Sequence, residues 1–165
     1  MRSGAKLPTV GATQGLGVQM LTWLMGAWLL YHLIAGIHIY ASGAATPGGL
    51  EAYFHDPIYT LDLGSLIGAS GPSFILTHGA IITFVIILAL YLEMSRIVRY
   101  GLAQNFTGSQ HDLYGSILLL VVTSIELFFV PLAWTSIFVI LFFGSIMDVT
   151  VHVRYLHHFV RARRA

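Results

Sequence analysis

No cysteine occurs among the 165 residues of this chain. Disulfides, thiolate-held iron–sulfur clusters and the C-x-x-C-H attachment of c-type haem are therefore excluded. Any metal or haem would have to be held by His, Met, Tyr or carboxylate. Charge is nearly as scarce: 9% of residues are charged, against about 25% in a soluble domain. With 56% hydrophobic residues and a mean hydropathy of +0.79, the chain lacks the polar surface needed to stay in water. The membrane is its solvent. A formal net charge of +1 and the lack of a basic stripe outside the C-terminal tail exclude nucleic acid as a partner. The opening "MRSGAKLPTVGATQG" has no short apolar core with a cleavage site, so it reads as a short cytoplasmic tail. Internal repeats and low-complexity tracts are also missing.

Apolar length is what the chain does have. A spanning helix needs about 20 mainly apolar residues, and four segments qualify: Leu16 to Ala41, Ser73 to Leu92, Leu113 to Phe129, and Leu132 to Val153 continuing to Phe159. Pro131 separates the last two, because proline is tolerated at a helix start and disfavoured inside one. The expected fold is all-α: one membrane domain over residues 1–165, a bundle of four transmembrane helices. The basic residues orient it. Arg2 and Lys6 precede the first span, Arg96 and Arg99 follow the second, and Arg154, Arg161, Arg163 and Arg164 follow the fourth. All fall on one side if both termini face inward (N-in/C-in), as in an integral protein of a prokaryotic cytoplasmic membrane. The loop 42–72 on the other side has no Lys or Arg, and its Tyr53, Phe54 and Tyr59 suit an interfacial or docking segment.

Ionisable groups within a membrane are costly and face the bundle interior or a cavity. Eight histidines are many for so apolar a chain. His38 lies near the outer end of the first span, His32 about 9 Å deeper, and His78 between them in depth on the second. His32 and His38 are about 240° apart round their helix, so they cannot share one partner. His32 has Ala35 and Gly36 nearby, and His78 is followed by Gly79 and Ala80. Small residues leave room for close helix approach or for a flat ring. Two readings stay open: axial ligation of haem by His78 with His32 or His38, or hydrogen bonds between helices.

A second constellation is "GSIMDVTVHVRYLHHFVRARR". Gly144, Asp148, His152 and Tyr155 share one face of the fourth span, towards its inner end. A carboxylate one turn from an imidazole fixes its tautomer, as beside metal-bound histidines, or relays protons. His111, at the same depth on the third span, or His157 is a candidate third ligand beside Asp148 and His152. His157 and His158 read as interfacial residues near anionic headgroups. Glu93 is placed to neutralise Arg96 at the interface. Glu126 lies near the outer end of the third span with no basic partner in sequence. It is expected to bond Thr123 or Thr135, or to belong to a quinone or proton site.

A cysteine-free bundle with histidines on its first, second and fourth helices resembles the membrane cytochrome b anchors of respiratory complexes. These are the quinone-linked anchors of succinate dehydrogenase and fumarate reductase, and the four-helix di-haem cytochrome b subunits. The stretch "YHLIAGIHIY", Tyr31 to Tyr40, resembles the His-x-x-x-Gly-x-x-His patch of the succinate dehydrogenase anchors. Here the histidines are one residue closer, the neighbouring arginine is absent, and the patch is on the first helix. The resemblance implies a subunit that binds haem b and passes electrons between the quinone pool and partner subunits, membrane and peripheral. Quinone would sit near an interface: Asp148, His152 and Tyr155 fit on one side, Glu126 and His38 on the other. The competing expectations are a subunit of a copper or non-haem iron oxidase or oxygenase, and a structural subunit without a cofactor.

Overall fold

The computed structural model describes residues 22–43, 46–62, 73–103 and 106–162. The N-terminal tail, the start expected for the first span at residues 16–21, residues 63–72 of the loop, and Arg163 and Arg164 lie outside the described residues. The elements are α1 (Trp23–Ser42), α2 (Pro47–His55), β1 (Pro57–Asp62), β2 (Ser73–Thr77), α3 (His78–Ala103), α4 (Phe106–Phe129), a 3-10 turn (Pro131–Ala133) and α5 (Ser136–Ala162). Among the described residues, four helices are long and apolar enough to cross a membrane: Trp23–Ser42, His78–Arg99, Gly108–Phe129 and Ser136–His158. The fold is an all-α membrane bundle. Its spans alternate in direction, so Arg96, Arg99, Arg154 and Arg161 gather at one end, called here the basic end. α2 and the β1–β2 hairpin mark the other.

Hydroxyl caps set the helix starts. Thr22 Oγ1 accepts from Met25 N at 3.2 Å, Thr77 Oγ1 from Ala80 N at 3.1 Å, and Thr135 Oγ1 from Phe138 N at 3.2 Å. α1 ends at Gly43, whose φ of +66° lets its N–H turn back to the Ile39 carbonyl.

These caps explain where the spans differ from the hydropathy reading. Residues 73–77, expected in the second span, are instead a strand paired antiparallel with β1, with Tyr59 opposite Leu76 and Leu61 opposite Phe74. A short apolar run has no period that separates strand from helix, and Thr77 starts the helix after it. α3 then runs past Leu92, because Glu93 and Arg96 neutralise each other inside the fold. α4 likewise starts before Leu113 and carries Asp112 inward. The Pro131 break is a single 3-10 turn, so α5 begins at Ser136 rather than at Leu132.

Leu24, Ala27, Tyr31 and Ala35 form the buried stripe of α1. It packs with Ile82, Ile86 and Ala89 of α3, Leu119 of α4, and Ile137, Phe138 and Leu141 of α5. Leu50 and Phe54 of α2 close the hairpin end of this core. Apolar side chains also cover the outside, among them Leu33, Phe84, Ile125 and Phe143. The buried residues instead include Ser109, Asp112, Ser116, Thr123, Ser145, Asp148 and His152. An apolar exterior over a partly polar interior is the arrangement a lipid solvent favours.

Candidate functional site

Polar side chains gather in two places, one at each end of the bundle.

At the hairpin end, Glu126 of α4 meets α1. Its Oε1 is 3.3 Å from His32 Nε2, and its Oε2 accepts from Trp28 Nε1 at 2.8 Å. Glu126 thus has the basic partner that its own helix lacks. The expected partners are engaged elsewhere: Thr135 with the Tyr31 hydroxyl at 2.9 Å, Thr123 with Ser145 at 3.2 Å. His32 Nδ1 lies 2.9 Å from the Trp28 carbonyl, so both ring nitrogens are used. This pair borders a cavity of about 180 Å³ between α1, α2, α4 and the 3-10 turn. Apart from His32 and Glu126, its wall is mainly Ala35, Gly36, Ile39, Leu50 and Leu132. On the far side of Gly36 a shallower groove of about 350 Å³ runs along Leu33, Ile37 and Tyr40. His32 and Gly36 line both spaces, and a Cβ placed on Gly36 meets nothing within 4 Å.

His38 and His78 take a different partner from His32. Tyr53 of α2 stacks on His38 with ring centroids 4.0 Å apart and on His78 with 4.3 Å. Two rings stacked that closely cannot share one face, so Tyr53 is sandwiched between them. A haem ligated by His38 and His78 would need the slot that Tyr53 fills, and one ligated by His32 would break that residue's bonds to Trp28 or Glu126. The described residues do not fit a bis-histidine haem at this end.

The basic end holds a buried ionic cluster from three helices. Arg96 of α3 places its NH2 group 2.9 Å from Glu93 Oε1 and its Nε 2.8 Å from Asp112 Oδ2 of α4. Glu93 Oε2 accepts from Trp23 N at 3.2 Å, tying in the start of α1. On α5, His152 Nδ1 lies 3.0 Å from the Asp148 carbonyl and 3.3 Å from its Oδ1, while Nε2 points to Glu93 Oε1 at 3.8 Å. His152 is fully buried and Asp148 nearly so. The expected pairing of Asp148 with His152 is thus present. Its neighbours, however, are Glu93 and Asp112, while His111, next to Asp112 on α4, is only half-buried. Tyr155 is half-buried one turn beyond His152.

The expected Glu93–Arg96 pair is present at 2.9 Å, whereas hydropathy alone had no means of finding the roles of Trp28, Tyr53 and Asp112, or the contacts of Glu93 to Trp23 and His152, which come from neighbours distant in the chain. One sequence signal did exist: Glu93, Asp112 and Asp148 lie at matching depths on successive antiparallel spans. Comparison with protein-family models, with curated proteins and with solved structures finds no match to this chain.

Proposed function

We propose that this chain is a membrane subunit of a respiratory electron-transfer complex, and that the cavity beside His32 and Glu126 receives a quinone headgroup. One geometry supports the reading. An imidazole–carboxylate pair, 3.3 Å apart, stands at the wall of an otherwise apolar cavity on a lipid-facing helix. An apolar pocket with a few convergent polar groups is the usual form of a small-ligand site. The groove beyond Gly36 continues along the outside of α1, where an isoprenoid tail would lie. The redox setting comes from the resemblance of Tyr31–Tyr40 to the cytochrome b anchors.

Reducing a quinone to quinol consumes two electrons and two protons. The electrons come from a redox centre of a partner subunit. Glu126, held by Trp28 Nε1, donates its carboxyl O–H to one carbonyl oxygen and gives up that proton as the oxygen is reduced, and His32 Nε2 lies beside the carboxylate left behind. The second proton reaches the other carbonyl oxygen from the membrane surface. N-in/C-in orientation, read from the basic residues, places the cavity on the outer side.

Trp28 reports on the cavity because its Nε1 bonds Glu126. With Trp23 and Trp134 replaced by Phe, titration of the purified chain in nanodiscs with short-tailed ubiquinone is expected to quench Trp28 saturably. Gly36→Leu, which fills the cavity mouth, and Glu126→Gln each weaken binding about tenfold or more; loss of a charge-assisted hydrogen bond costs about 1.5–3 kcal/mol. Quenching that never saturates, or that Gly36→Leu leaves unchanged, would instead favour a structural subunit without a ligand.

A further inference from the structure

We propose that Glu93, Asp112 and His152 bind one divalent transition-metal cation, with Asp148 orienting the imidazole. One ligand atom from each of the three residues lies within 4.8 Å of the others, and all three side chains are buried. This is a different donor set from His152, Asp148 and His111, the set that the spacing along the sequence points to.

The tautomer of His152 gives the first reason. Both atoms facing Nδ1, the Asp148 carbonyl at 3.0 Å and Asp148 Oδ1 at 3.3 Å, are acceptors, so Nδ1 carries the proton. In the neutral ring, the form that binds a metal, Nε2 then presents a lone pair. It is fully buried, has no hydrogen-bond partner, and faces Glu93 Oε1 at 3.8 Å. In that form two electron-rich atoms face each other across a buried gap, and a positive species between them turns repulsion into attraction. The gap is too long for an N–H···O bond, which runs to about 3.2 Å. It is close to the roughly 3.4 Å that separates two ligands on a shared ion with bonds of about 2.0–2.2 Å.

Charge gives the second. Glu93, Asp112 and Asp148 set three carboxylates against the single guanidinium of Arg96. Among the described groups negative charge is in excess, and a divalent cation would offset it. Arg96 does not close the site: each carboxylate has about four lone-pair positions, enough for a guanidinium and an ion together. Carboxylate plus imidazole, without thiolate, favours Zn²⁺, Mn²⁺ or Fe²⁺. The carboxylate–imidazole–metal arrangement that Asp148 completes is the usual way a ligating histidine is oriented.

The site is at the opposite end of the bundle from the quinone cavity and does not depend on it. Its test uses the full chain in nanodiscs, loaded with Zn²⁺ alone and freed of excess ion. His157→Ala/His158→Ala serves as background, to remove two exposed histidines near the C-terminus. One Zn²⁺ per chain is expected, with Co²⁺ in its place giving visible bands of a low-coordinate nitrogen–oxygen site. His152→Ala should lose the ion, and Asp148→Asn should weaken its binding 10- to 100-fold. No bound ion, or equal binding in wild type and His152→Ala, overturns the proposal and leaves protons as the neutralising charge. If His152→Ala fails to fold, Asp148→Asn decides: unchanged affinity and an unchanged Co²⁺ spectrum overturn it equally.

Discussion

At the scale of single residues, polar side chains in this chain are placed by partners far away in sequence. Glu51 of α2 is an example outside the membrane. Its Oε2 accepts from Ser136 N at 2.9 Å, at the start of α5, and its Oε1 is 3.1 Å from His55 Nε2. Partial burial pushes its carboxyl up, but the hydrogen bonds from Ser136 and His55 outweigh this and hold it below the usual 4.5. A carboxyl depressed in the folded state contributes stability above its unfolded value and loses it as pH falls through the folded one. Wild type should therefore melt higher than Glu51→Gln at neutral pH, by about 1 kcal/mol for a helix-capping contact. The two curves should converge as pH falls below about 4.5. A difference that persists unchanged in acid would show that the charge is not what matters. His32 and Glu126 teach the same lesson. Both were legible as polar groups set in apolar runs, but the pair they form was not, because they lie 94 positions apart in the chain and are only partly buried.

At the scale of elements, apolar run length was enough to count the spans, and the ends were decided by groups that hydropathy does not weigh. Thr77 and Thr135 cap two of the starts, and the Glu93–Arg96 pair lets α3 continue past its first charges. α2 is the element least visible in advance: nine residues with two consecutive glycines. It nevertheless supplies Tyr53 to the imidazole sandwich and Phe54 to the core. Its approach to α3 depends on Gly79, where a Cβ would stand 2.9 Å from the Phe54 carbonyl oxygen and 3.0 Å from Ile137 Cδ1. Gly79→Ala should therefore destabilise the chain by about 1–3 kcal/mol and loosen α2 in hydrogen exchange. Gly144→Ala makes the contrast. Its Cβ meets only side-chain carbons at 3.5–3.7 Å, and it should melt at or above wild type, since alanine favours helix by up to about 1 kcal/mol over glycine. Equal losses at both positions would contradict this packing.

At the scale of the whole molecule, an apolar exterior over a partly polar interior makes the bilayer the natural surroundings of the bundle. Composition was sufficient to infer that. The absence of native cysteine makes the orientation directly measurable: a single cysteine at Tyr59 should react with an impermeant maleimide from outside intact cells, and one at His158 only after permeabilisation. Reversed labelling would overturn the N-in/C-in reading. Function is less legible, since neither polar end depends on a motif of fixed spacing. The central claim, a quinone headgroup beside His32 and Glu126, is tested most directly by photo-cross-linking. Illumination of the chain in nanodiscs with an azidoquinone, followed by mass-spectrometric mapping, should place adducts on Ala35, Gly36, Ile39, Val130, Leu132 and Ala133, the walls of the cavity. Excess unlabelled quinone and Gly36→Leu should both suppress them. Adducts scattered over the lipid-facing surface, insensitive to either, would contradict the account.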